Sequence, residues 1–157
     1  MFDLGIYGLN TSLMMLEGDS PVAVSALYAY PKDDPRFAEV EGGIDWRMTM
    51  ASGINVTGWS SYCHSPYVSR QHYFGANSSM EMQPATTYDD NNIVMDGNRQ
   101  VGAGNPMTQF AAQLDGFSEA ARTNQPHLTP GEMGLRDIRL IEAMYRSADA
   151  GGVVVRL

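Results

Sequence analysis

The sequence predicts an α+β fold, an open-faced and mainly antiparallel sheet with helices packed on one face. Apolar residues recur at helical spacing near the start of the chain and in its last third, while the middle alternates with a period of two. The strands run consecutively and the helices stand at the ends, the order of an α+β layer rather than of repeated βαβ units.

Leu4 to Leu16 reads as the first helix, with Ile6, Leu9, Leu13 and Leu16 on one face and a stop at Glu17-Gly18-Asp19. Pro21 to Tyr30 alternates loosely until the prolines at 31 and 35 break it. Ile44, Trp46, Met48 and Met50 alternate with Asp45, Arg47 and Thr49, the pattern of a half-buried strand. Ser52-Gly53 supplies a turn, and Ile54 to Tyr62 returns as the second strand of a hairpin. Tyr67 to Phe74, Ser79 to Gln83 and Asn91 to Met95 are further strand candidates, and the stretch from Asp96 to Gly104 reads as a loop. Asn105-Pro106 then caps a helix whose stripe is Met107, Phe110, Ala111, Leu114, Phe117 and Ala121. Thr129-Pro130-Gly131-Glu132 has the pattern of a capping box. It opens a helix with Ile138, Ile141, Met144, Tyr145 and Ala148 on one face, closed by Gly151-Gly152 before a final strand at Val153-Val154-Val155.

These elements make one domain, residues 1–157, long enough to bury its own core. Ten basic against eighteen acidic residues give a net charge of −8 with Lys32 as the sole lysine, which argues against a nucleic-acid partner. No apolar run approaches the ~20 residues of a membrane span. Leu13 to Leu16 is too short for a signal-peptide core and lacks a basic leader, so the expected location is cytoplasmic. One cysteine, Cys63, excludes an intramolecular disulfide, and the eleven methionines read as adaptable core filler. The triplets beginning at Asn10, Asn55 and Asn77 match the glycosylation sequon and are read as incidental. Trp59, Tyr62, Tyr67, Tyr73 and Phe74 exceed what helices on one side can cover, so the bare sheet face is expected to form a homo-oligomer contact.

Two constellations carry chemistry. Asp3 and Tyr7 stand four apart, so on a helix they share a face, one turn from each other, as a proton-handling pair would. The plainer reading is a helix-capping acid and a half-buried phenol. The second constellation is Cys63, His64 and His72, with Glu81, Asp89 and Asp90 nearby. His64 and His72 with a carboxylate would suit a divalent metal and a hydrolase, and the plainer reading is polar residues on a sheet face or loop. His127 reads as solvent-facing. Neither a G-x-S-x-G elbow nor an H-E-x-x-H pair occurs.

The segment Asp3-Leu4-Gly5-Ile6-Tyr7-Gly8-Leu9-Asn10 resembles the helix that opens the second domain of the glucose–fructose oxidoreductase and inositol dehydrogenase family. The likeness continues through residues 21–26, 34–41, 60–62, 105–117 and 129–132, and so covers essentially the whole chain. The resemblance implies that Tyr7 handles a sugar hydroxyl proton during hydride transfer, that Asp3 orients the sugar, and that the sheet pairs with another subunit. It also implies a catalytic lysine and bound NADP in a nucleotide-binding domain, to which no position here corresponds. The G-x-G-x-x-G fingerprint is missing, and Gly102-Ala103-Gly104 gives only a fragment. On this reading the chain is half of a sugar oxidoreductase that does not hold NADP alone. The alternatives are a dimeric module binding a sugar or a protein, and the metal-dependent hydrolase.

Overall fold

The computed structural model describes residues 1–29, 33–88, 91–100 and 106–157, with only the backbone of 106 and 107. In chain order the elements are α1 (Gly5–Met15), β1 (Pro21–Tyr28), a 3₁₀ turn (Pro35–Phe37), β2 (Gly43–Met50) and β3 (Asn55–Ser61). There follow β4 (Gln71–Phe74), β5 (Ser79–Met82), β6 (Ile93–Met95), β7 (Asn98–Gln100), α2 (Pro106–Thr123), α3 (Gly131–Asp149) and β8 (Val155–Arg156). Among the described residues the strands divide between two four-stranded sheets, ordered β3-β2-β1-β8 and β4-β5-β6-β7, with every pairing antiparallel. Two compact units result, Met1–His64 with Glu132–Leu157, and Ser65–Gly131.

The first unit holds the core. Val24 and Ala26 of β1 and Ile44, Trp46, Met48 and Met50 of β2 turn one face of the sheet towards the helices. Leu9 and Leu13 of α1 and Leu140, Ile141, Ala143, Met144 and Ala148 of α3 cover it. Gly58 of β3 lies opposite Trp46, where a Cβ would stand 2.2 Å from the indole, so the ring packs flat only because position 58 has no side chain. Gly151 and Gly152, both at positive φ, close α3 with Gly152 N–H on the Ser147 carbonyl and Gly151 N–H on that of Ala148. That is a Schellman ending, as the glycine pair predicts.

Three details differ from the sequence reading of these helices. α1 begins at Gly5 after Leu4, which offers no side-chain cap, so Asp3 lies in the turn before the helix rather than capping it. α3 starts at Gly131, and the Thr129 hydroxyl meets His127 Nδ1 at 3.2 Å instead of completing a capping box. The buried stripe of α3 is also rotated: Ile138 is exposed while Asp137 and Ser147 are buried. Their positions are stabilised by polar partners that periodicity does not reveal.

Ser147 sits where β1 and β8 separate. Ala23 pairs with Arg156 and Val24 with Val155, and continuing that register sets Ala26 opposite Val153. The strands do not bond there directly. The Ser147 hydroxyl accepts from Ala26 N–H at 2.9 Å and donates to the Val153 carbonyl at 2.6 Å, satisfying both backbone groups. Ser147→Ala would leave a buried donor and acceptor without a partner, so a loss of about 2 kcal/mol is expected in urea unfolding. A loss below ~0.5 kcal/mol would show that water replaces the hydroxyl.

In the second unit, β6 and β7 form a two-residue hairpin around Asp96 and Gly97, whose φ values of 50° and 78° are those of a type I′ turn. The segment read as a loop from Asp96 therefore contains a strand, and Asp-Gly was its signal. Phe110, Leu114 and Phe117 of α2 stand 58, 67 and 60 % exposed, so its apolar stripe is uncovered. Asn105 and Gly102-Ala103-Gly104 lie outside the described residues.

Candidate active site

The start of α1 and the end of β3 build the site. Tyr7 is the third residue of α1; its side chain is 51 % exposed and its phenol has no hydrogen-bond partner among the described residues. The helix around it is fixed from behind. Leu9 and Leu13 are buried, and Asn10 Nδ2 donates at 2.5 Å to Oδ2 of Asp137, itself buried in α3. Arg136 completes that cluster, its Nε 2.8 Å and its Nη2 2.7 Å from Asp137 Oδ1.

Asp3 is exposed in the preceding turn, and Tyr62 Oη donates to its Oδ2 at 2.7 Å. Tyr62 N–H bonds the Gly42 carbonyl at 2.9 Å, extending the β2–β3 ladder by one residue. The hydrogen bond to Asp3 pushes the Tyr62 phenol up to about 12, with burial and the carboxylate's charge adding to it. At neutral pH Tyr62 is therefore a donor, not a base. In the sequence Tyr62 reads as a strand aromatic and as part of the stretch 60–62 that carries the family likeness; neither reveals its contact with Asp3, which spans 59 positions.

The histidines are placed otherwise. His64 is exposed, its ring edge-on to Trp59 with centroids 5.0 Å apart, and His72 of β4 lies 3.9 Å from the ring of Phe74. The half-buried Cys63 donates its N–H to Ser61 Oγ at 2.9 Å. Among the described residues no three His, Cys, Asp or Glu gather as metal ligands; Asp89 and Asp90 lie outside those residues.

Both sheets are antiparallel throughout, and no parallel strand–turn–helix with a glycine cradle occurs among the described residues. No helix is long and apolar enough to cross a membrane among those residues.

No family model matches the chain. Among solved structures, the aldose-aldose oxidoreductase of Caulobacter crescentus, crystallised with glycerol, is similar at TM-score 0.87 and 37 % identity, over 99 % of this chain and 46 % of that one. Such neighbours are oxidoreductases of the glucose–fructose oxidoreductase and inositol dehydrogenase family, which the chain resembles. An inositol dehydrogenase homologue of Azotobacter vinelandii, complexed with NADH and myo-inositol, is similar at TM-score 0.67 and 18 % identity, covering 99 % of this chain and 49 % of that one. A UDP-N-acetylglucosamine 3-dehydrogenase of Acidithiobacillus ferrooxidans gives TM-score 0.73 and 18 % identity, over 94 % and 46 %. At that identity the last two show the fold alone. The chain spans about half the length of these family structures, and the extent of the match agrees with the C-terminal domain that the sequence resembles.

Proposed function

We propose that this chain is the sugar-binding and self-associating half of a nicotinamide-dependent sugar oxidoreductase, with Asp3 and Tyr7 as its catalytic pair. The observation that carries the reading is the exposed Tyr7 phenol on a helix anchored by its buried face, with a hydrogen-bonded carboxylate in the turn before it. In this reading Asp3 accepts a hydrogen bond from a sugar hydroxyl and orients the ring. Tyr7 takes or returns the proton of the hydroxyl whose carbon changes oxidation state, which lowers the barrier to moving hydride. The nicotinamide is held outside the described residues, and NADP is the carrier the family resemblance implies. Titration calorimetry of the isolated chain against NADP and against D-glucose tests the division of labour. Weak aldose binding with no NADP binding supports it, and a dissociation constant for NADP in the low micromolar range or better overturns it.

Self-association belongs to the same reading. On the face of the first sheet turned away from the core, Leu27, Asp45 and Trp59 lie side by side, as do Ser25, Arg47 and Thr57. They line an open hollow of about 440 Å³, with Leu27 and Trp59 53 and 49 % exposed. A twofold contact through one self-complementary patch is the commonest arrangement for such a face. Trp59→Glu should convert a dimer to monomers in light scattering; an unmutated chain that is monomeric at micromolar concentration ends this part of the proposal. Tyr73 is a poorer probe, since it is half-buried in the other sheet and its phenol donates to Gln71 at 2.7 Å.

A further inference from the structure

We infer that Tyr62 is a positioning residue for the sugar site: it holds one oxygen of Asp3 so that the other is presented to a substrate hydroxyl. The inference rests on the reading of Asp3 and Tyr7 given above. Asp3 lies outside the helix, and Leu4 occupies the cap position without a side-chain bond, so no helical backbone group restrains the carboxylate. Tyr62 does restrain it, through Oδ2 alone. Oδ1 has no hydrogen-bond partner among the described residues, so one acceptor stays available for a ligand, and the carboxylate's charge also favours the nearby Met1 ammonium.

The restraint comes from a rigid support. Gly43 pairs with Ser61 at the end of the β2–β3 ladder, Tyr62 N–H continues it to Gly42, and the next residue along β2, Ile44, is fully buried. The phenol is thus carried by the core while the acid is carried by a surface turn. An O–H to carboxylate bond of 2.7 Å is a charge-assisted contact, stronger and more directional than a neutral one. As a tether alone it would matter little, because both groups are exposed and surface polar pairs contribute almost nothing to stability. As an aiming device it matters more, since a displacement of ~1 Å in a reacting group costs ~10²-fold in rate. The phenol, held up at about 12, stays protonated while Tyr7 works and does not compete with it for the proton.

Carbon-13 labelling of the tyrosine ring, read by NMR during a pH titration, tests the link within the chain itself. Asp3→Asn should bring the Tyr62 transition down towards ~10, the ordinary value for a phenol. An unchanged Tyr62 transition would overturn the inference at its base. D-Glucose titrations, followed by amide shifts in the unmutated chain and in Tyr62→Phe, test the consequence. A hydrogen bond to a charged group corresponds to at least ~10-fold in affinity, so Tyr62→Phe should weaken glucose by about that factor with its urea midpoint unchanged. Equal glucose affinity in both proteins overturns the positioning role and leaves the sugar-binding reading standing. No shifts in the unmutated chain, even at high millimolar glucose, overturn that reading and the inference with it.

Discussion

Tyr7→Phe, in a chain joined to a nucleotide-binding partner domain from a related enzyme, is expected to lose ~10²–10⁴ of its turnover, the range of a positioned general acid–base group. The side chain is 51 % exposed and its hydroxyl has no partner among the described residues, so its removal takes nothing from the fold. The buried face of α1 is carried by Leu9 and Leu13, which the substitution does not touch. The loss should therefore fall on kcat, with sugar affinity nearly unchanged, because proton transfer is made only in the transition state. A phenol ordinarily titrates near ~10, so the partner domain must also bring a cation, the lysine that the family resemblance implies. Full turnover in the joined Tyr7→Phe protein would make Tyr7 a surface tyrosine and nothing more.

Asp137→Ala is expected to have the largest effect on stability. Its carboxylate is buried at 2 % exposure, accepts from Asn10 on one oxygen and faces the Arg136 guanidinium on the other. Removing one member of a buried pair typically costs ~3–5 kcal/mol, since the charge left behind has lost its partner. Arg136 is 38 % exposed and can turn to water, so the low end, about 3 kcal/mol, is expected. Urea unfolding should show the midpoint fall with the slope unchanged. Asn10 is one of the bonds that fasten α1 to α3, so the same variant should also loosen the helix bearing Tyr7. Amide exchange in residues 5 to 15 measures that directly. A loss under ~1 kcal/mol would mean that solvent already supports the cluster.

The parts of the fold that sequence discloses are those whose cause is local. The β2–β3 hairpin is legible because Trp46, Met48 and Met50 alternate with charged and polar residues up to a glycine turn, and the turn glycine has the positive φ it needs. The face of α1 is legible for the same reason in another period, with Leu9 and Leu13 at its centre. β7 is harder, because Asn98, Arg99 and Gln100 have no apolar member and only the preceding Asp-Gly marks them. α3 misleads by its chemistry: periodicity favours Ile138, while Asp137 and Ser147 are drawn inward by partners 127 and 121 positions away. The candidate site divides along the same line. Asp3 and Tyr7 are neighbours in sequence and can be found there, but Tyr62 reaches Asp3 only once the sheet has formed.

The Ser147 hydroxyl has a consequence for behaviour between molecules. β8 pairs with β1 at Ala23 and Val24, and Leu157 N–H bonds the Val22 carbonyl; past Val24 the strand would offer bare backbone groups along its outer side. Such an edge is a template on which another copy can add a strand, the first step of aggregation. By occupying Ala26 N–H, one serine of a helix removes a donor that a strand adding to β1 would need, and it holds the chain leading into β8 in place through the Val153 carbonyl. Protection of this kind leaves no trace in the strand sequences themselves, because the guard is drawn from a helix more than a hundred residues away.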